Sequence, residues 1–461
     1  MGLRGVNDSQ KHPEVQPEAP ALGRVGGRAG TSRSAWRSIA GAQESGLVAV
    51  IALMVIALWF AAPVKQRTET VALGPADTQV EEGNAFIVTW ADGRTQRFAK
   101  GEGWVLEPTV RNYPAGTIVE PDEGGFRITR PGREASILEG DWRRENLDGG
   151  GIRMHQERLI QNRRYNTFLN SDNVVSVLES SSYYAIMAVG MAGIIVMGGI
   201  DLSIGAIYCL AAVVGSLILR KMGSDAPWIT AVPTALVVCC GVGAICGAIN
   251  GLGTVLLRVH PFIITLGMMS VFRGVAFLLT EGASITGIPA SVTSGFIRVP
   301  IFGFQIMPIL LTLLVAIIGT VLFARTVFGR RTFAIGGNET AAKYAGVPVG
   351  RVKVLLFAFA GALAGLAAVI YLGRFGAADS GAGRGDELAV IAAAVVGGCS
   401  LSGGRGSALG AVLGAVIIAL IRNATTILNV PSSWTEVVLG LTIIVAVVVD
   451  QAKHRLGRGK R

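Results

Sequence analysis

One acid stands inside an otherwise apolar run. Asp201 lies in Gly-Gly-Ile-Asp-Leu-Ser-Ile-Gly, residues 198–205, with Ser203 two positions on and Gly198, Gly199 and Gly205 around it. A charge is expensive to bury in lipid, so such a residue needs a use. Two uses fit the spacing. Asp201 can cap a half-helix by accepting from free backbone N–H groups, or it can contribute, directly or through water, to a polar path across a membrane. Asn250 is a buried amide among Gly247, Gly251 and Gly253, a close-packing surface. Thr265 is a polar position on the helix that Pro261 opens, where proline is tolerated. Arg273 sits well within an apolar segment, where pairing with a carboxylate, lining a cavity or snorkelling to an interface would each suit it. No catalytic constellation accompanies these residues. There is no GxxxxGK[ST] phosphate loop, because Gly459-Lys460 is followed by Arg461. The five cysteines lie in or beside apolar segments without a CxxC pair and read as small packing residues. The four histidines are scattered, so neither a metal nor another cofactor is expected in this chain.

The elements that must position these residues are membrane helices. The chain of 461 residues is 51% hydrophobic and 16% charged, whereas a soluble domain carries roughly 25% charged residues. Several apolar runs reach the roughly 20 residues a spanning helix needs. The 62 glycines suit helices packed closely in lipid. A net charge of +10 does not indicate nucleic acid, because the basic residues gather at the ends of spans. The expected fold is all-α and polytopic, with about ten transmembrane helices. Residues 1–45 read as a disordered tail and 46–64 as an uncleaved first span.

Residues 65–165 turn polar and hold 15 Lys/Arg against 16 Asp/Glu. A hairpin turn at Asp92-Gly93, a second at Glu123 to Gly125 and a strand at EASILEGDW predict a β-rich insert of about four to six strands. The run MHQERLIQNRRYNTFL predicts a helix leading back to the membrane. A region of about nine further spans then covers 166–450, and 451–461 is a basic tail. Asp386 and Glu387 stand before an apolar helix as candidate caps. Between two apolar segments, Arg330 to Lys353 forms a basic island with one acid, Glu339. It contains a short predicted helix with Asn338 as N-cap, Glu339 in its first turn and Ala341 and Ala342 within it, barred from continuing by Pro348.

GGNETAAKYAG at 336–346 resembles the coupling helix of bacterial ABC importer permeases of the ribose type, within the branched-chain amino acid and monosaccharide group. GGIDLSIG, the run CGAINGLGTVLLRVHPFIITLGMMSVFRG at 246–274 and DELAVIAAAVVGGCSLSGGRGSALGAVLGA at 386–415 carry the same resemblance. It implies that Gly336, Gly337, Asn338, Glu339, Ala341, Ala342 and Gly346 couple the chain to a separate ATPase subunit, which would bind ATP and Mg. It implies a second permease copy, identical or related, a periplasmic solute-binding protein, and a bacterial inner-membrane location. The chain would then be a transport subunit and not an enzyme. Pentoses or hexoses are the substrates the motifs suggest, with furanosyl autoinducers, polyols and nucleosides as alternatives. The insert has no counterpart in the resemblance and reads as a spacer, lid or envelope-protein contact.

The charge distribution gives the expected orientation. Segments assigned to the cytoplasm hold 19 Lys/Arg, and the short loops opposite hold 5, which puts both termini inside and the insert outside. Two other classes fit the same composition. One is an ATP-independent secondary transporter or channel centred on Asp201. The other is a structural or signalling protein acting through the outer β-domain.

Overall fold

The computed structural model describes residues 31–73, 78–90, 92–102, 104–122, 125–139, 142–301, 303–431, 433–442, 444, 445 and 448. The chain divides into two units, Met1–Gln43 and Glu44–Arg461. Helix α1, Thr31–Ala61, already runs through the last residues of the stretch read as a disordered tail; residues 1–30 of that stretch lie outside the described residues. Its apolar part is Glu44–Ala61, and Val64, expected to end the span, opens a strand.

Among the described residues the insert has ten strands, more than the four to six expected. They are β1 (Val64–Leu73), β2 (Thr78–Glu82), β3 (Ala85–Thr89), β4 (Thr95–Ala99), β5 (Trp104–Tyr113), β6 (Ile118–Asp122), β7 (Gly125–Thr129), β8 (Ser136–Glu139), β9 (Arg143–Asn146) and β10 (Ile152–Asn166). One sheet runs β1-β10-β5 with β9 also on β10, and β2-β3-β4 and β6-β7-β8 form two antiparallel meanders. Each meander has its own core. Phe86, Val88, Phe98 and Trp104 pack with Leu159 in one; Val119, Ile128, Leu138 and Trp142 pack with Ile152 and Met154 in the other. The two lobes repeat in sequence, Phe86-x-Val88 answering Phe126-x-Ile128 and Trp104 answering Trp142. β10 corrects the helix expected over this run. It is bonded to β1 from Asn166 to Glu157 and to β5 from Gln161 to Ile152, and two neighbours on one strand override a weak local preference for helix.

The insert closes where it began. Val64 pairs with Asn166, Asn166 Nδ2 donates to Trp59 O at 2.8 Å, and Thr167 Oγ1 donates to Pro63 O at 2.9 Å. Both ends of the insert are thereby fixed to the end of α1.

Beyond it lie α2 (Ser171–Val196), α3 (Ile204–Met222), α4 (Trp228–Leu257), α5 (Pro261–Thr280), the short β11 (Ile285–Thr286), a turn α6 (Ala290–Val292), α7 (Met307–Arg325), α8 (Val327–Gly337), α9 (Glu339–Tyr344), α10 (Val349–Phe375), β12 (Ala377–Ala378), α11 (Asp386–Val396) and α12 (Ala408–Ile427). Among the described residues, eight helices are long and apolar enough to cross a membrane: the Glu44–Ala61 part of α1, and α2, α3, α4, α5, α7, α10 and α12. The expected count of about ten is not reached among the described residues. The span expected around Ala389–Val396 is α11, whose 11 residues extend about 16 Å, half the hydrocarbon thickness. The one expected at 436–449 lies partly outside the described residues.

Glycine sets the packing of the bundle. A Cβ on Gly243 would lie 2.0 Å from Gly361 O, one on Gly247 2.0 Å from Phe357 O, and one on Gly365 2.0 Å from Cys239 O. α4 and α10 therefore touch backbone to backbone, the arrangement small residues allow in lipid, where no hydrophobic effect drives helices together. α2, α3, α10 and α11 supply most of the buried core, and α4, α5 and α7 turn large apolar residues outward.

Candidate functional site

The break between α2 and α3 brings four of the five polar candidates together. Asp201 and Ser203 are in the break, Asn250 is on α4 and Thr265 on α5, and all four are fully buried. Asp201 Oδ1 accepts from Ser203 N–H at 2.8 Å and from Ser203 Oγ at 2.6 Å. Asn250 Nδ2 donates to Ser203 Oγ at 2.7 Å. Thr265 Oγ1 donates to Ile200 O and accepts from Leu202 N–H, each at 3.2 Å. Asp201 therefore holds the start of α3 with one carboxylate oxygen. Its other oxygen, Oδ2, and Asn250 Oδ1 are buried without a hydrogen-bond partner among the described residues. A buried polar atom left unpaired is costly, so this cluster is under a demand that a purely structural cap would not create.

Arg273 belongs elsewhere. Its guanidinium donates to the backbone carbonyls of Ser380 and Ala382, in the connection between α10 and α11, and forms no ion pair with a carboxylate among the described residues. That connection is held from several helices. Tyr371 Oη donates to Asp379 Oδ2 at 3.0 Å, and Cys209 of α3 lies against Asp379 O and Ser380 O. Asp386, expected as a cap, accepts from Tyr184 Oη at 3.0 Å and pairs with Arg422 of α12 at 3.4 Å; Arg422 also donates to Tyr184 Oη. Glu387 does act locally, accepting from Gly385 N–H at 3.2 Å. Tyr184, Tyr371, Asp379 and Arg422 were not singled out from the sequence. Arg422 in an apolar run was the available signal, and its partner lies 36 positions away by number.

The basic island forms α8 and α9. Asn338 Oδ1 accepts from Ala341 N–H at 2.9 Å and caps α9. Glu339 is held by Lys353 Nζ, at 2.8 and 2.9 Å from its two oxygens, which ties α9 to the first turns of α10. Ala342 is buried beneath α9, while Ala341 is exposed. Gly346, at φ +80°, turns the chain out of the helix in a region glycine enters freely. Gly337 is exposed and Gly336 is packed against backbone. Tyr344 has 88% of its surface exposed, a large aromatic group on a six-residue helix left uncovered by the described residues.

Residues 173–447 match the family model described as branched-chain amino acid transport system / permease component. The ribose import permease protein RbsC of Bacillus subtilis is 39% identical over 298 residues, 62% of this chain and 87% of that protein. The galactose/methyl galactoside import permease protein MglC of Escherichia coli is 38% identical over 299 residues, 62% of this chain and 89% of that protein. The D-allose transport system permease protein AlsC of Escherichia coli is 36% identical over 284 residues, 62% of this chain and 85% of that protein. No solved structure matches the chain. The matched region starts after the insert and contains the α2–α3 break, the α10–α11 connection and α9, so the chain belongs to the branched-chain amino acid transport system / permease component family.

Proposed function

We propose that this chain is the membrane subunit of an ATP-driven importer for a monosaccharide or a related small polar solute. The observation that carries the proposal is α9: short, capped, tied to α10 and presenting Tyr344, Ala341 and Lys343 outward. A separate ATPase subunit, which holds ATP and Mg, docks on this helix. A second permease copy completes the pathway, and a periplasmic solute-binding protein delivers the substrate. In this reading both termini and α9 face the cytoplasm, and the 64–166 insert faces outward from the inner membrane. The relatives' names point to pentoses and hexoses. The buried hydroxyl, amide and carboxylate groups near Asp201 are of the kind that exchange hydrogen bonds with a polyhydroxylated solute. ATP and substrate act by shifting populations between two bundle arrangements, which requires each ligand to favour one of them.

Pull-down from detergent tests this with wild type, Tyr344→Ala and Glu339→Arg. An ABC-type ATPase should accompany the wild type and be weakened by either substitution. Glu339→Arg acts by freeing α9 from Lys353, whereas Tyr344→Ala removes contact area alone. Absence of any associated ATPase, with solute uptake by the chain alone in liposomes, would replace this reading with an ATP-independent carrier centred on Asp201.

A further inference from the structure

The sequence Gly-Gly-Xaa-Xaa-Leu-Ser occurs twice, at 198–203 and at 397–402. In both places a helix stops in the same way. At the end of α2, Gly198 N–H donates to Ile195 O at 2.9 Å and Gly199 N–H to Ile194 O at 2.9 Å. At the end of α11, Gly398 N–H donates to Val395 O at 2.8 Å and Cys399 N–H to Ala394 O at 2.9 Å. Gly198 and Gly398 have φ of +90° and +95° and carry the chain out of the helix as a left-handed C-terminal glycine does. The two turns sit one residue out of register with the motif, since Gly198 is its first glycine and Gly398 its second; counted from these glycines, Leu401 stands where Asp201 does, and only the first break carries an acid.

The two breaks meet, and a third element closes on them. Gly404 N–H donates to Val196 O at 2.8 Å. Gly336, in the last turn of α8, lies against that bond. A Cβ on Gly336 would sit 1.7 Å from Val196 O and 2.7 Å from Gly404 N, and one on Gly403 would sit 2.7 Å from Gly336 O. Three segments thus touch through main chain, with no side chain between them. A side chain yields to a push by changing rotamer. Main chain in contact with main chain has no such freedom, so a shift of one segment is passed to the others. α8 continues into α9 with a one-residue junction, Asn338, whose N–H still bonds Ala334 O.

We propose that Gly336 is a positioning residue of transport: the junction of Gly336, Val196 and Gly403–Gly404 passes a displacement of α9 to both interrupted helices at once, and through the first of them to Asp201, Ser203 and Asn250. This rests on the importer reading above. It assigns Gly336 to the interior of the coupling path and not to the surface the ATPase touches.

The test uses the assembled importer in lipid nanodiscs and proteoliposomes, comparing wild type, Gly336→Ala and, as a control, Gly241→Ala, where an added Cβ meets nothing within 4 Å. Gly336→Ala should keep the ATPase bound and hydrolysing while uptake per ATP falls about tenfold or more, the size of a typical coupling between sites. Loss of the ATPase from a folded Gly336→Ala chain would make Gly336 a docking residue and overturn the proposal, as would unchanged uptake per ATP. Cys399, buried in the second break, gives a second readout in the wild type, which holds even if the variant fails to fold. Its labelling by a small maleimide, read by mass spectrometry, should differ between nucleotide-free and vanadate-trapped importer. Equal labelling in an importer that hydrolyses ATP would overturn the proposal. A wild type that binds no ATPase would instead sink the importer reading itself.

Discussion

Asn250 is the residue on which the polar cluster at the α2–α3 break depends. Its amide reaches Ser203 at 2.7 Å, and Ser203 in turn reaches Asp201 at 2.6 Å, so one side chain of α4 orients a carboxylate that nothing cationic neutralises among the described residues. Asn250→Leu keeps the branch at Cγ and removes the donor. It should destabilise the fold by about 1–3 kcal/mol, the cost of leaving a buried polar group unpaired, seen as a lower melting temperature in detergent. Tyr344→Ala removes an exposed group and should leave stability within about 0.5 kcal/mol, while retention of the ATPase in pull-down drops. The pair separates packing from docking by measurement. Asp92 in the insert offers a pH test. The backbone N–H of Arg94, and next its guanidinium, hold the Asp92 carboxyl below its usual range. Its folded value is the lower one, so its contribution to the hairpin is present above the unfolded value and lost as pH falls through the folded one. NMR titration should find Asp92 among the lowest carboxyls of the insert.

Among the elements, α4 and α10 are the pair most sensitive to substitution. Gly247 faces Phe357 O with no room for a side chain, whereas Gly241 on the same helix faces open space. Gly247→Leu should part the helices and cost at least the roughly 1–3 kcal/mol of an overpacked core; Gly241→Leu should be tolerated. Thermal stability of the two variants in one detergent decides it. The glycine content of these helices was legible from sequence, but which glycines touch was not, because every span is rich in them. The expected β10 helix failed for a related reason: its partners β1 and β5 are brought from far along the chain, the nearest paired residues being Tyr113 and Ile152. α11 shows the opposite limit. Its apolar run reads as part of a span, and only the structure shows the helix ending where Gly398, at φ +95°, carries the chain out of it, beside the close contact of Gly397 with Gly410.

For the whole molecule, the insert is built to fold by itself. Its first and last strands pair from Val64↔Asn166 onward, and each lobe has a core with its own tryptophan. Residues 64–166 excised as a separate polypeptide should give a β-type circular dichroism spectrum and a cooperative melt; a non-cooperative one would show that α1 and α2 hold it together. In the full chain, α1 packs Leu58 and Ala62 against Phe168 and Val177 of the α2 end and Ala419 and Leu420 of α12. The base of the insert is thereby continuous with α12, the helix that carries Arg422 to Asp386.

The sequence by itself determined that this is a many-helix membrane chain with a β-rich insert, that Asn338 begins a short basic-flanked helix, and that Asp201 is an anomaly needing a use. Those conclusions follow from hydropathy, turn residues and charge, which are local properties. Tertiary structure alone decided which polar groups meet. Asp201 joins Asn250 and Thr265, Arg273 serves the α10–α11 connection, and Gly336 packs main chain to main chain against Val196 and Gly404, where two helix breaks meet. Such pairings depend on close approach between segments up to two hundred residues apart, and no local pattern encodes the distance at which two backbones come to rest.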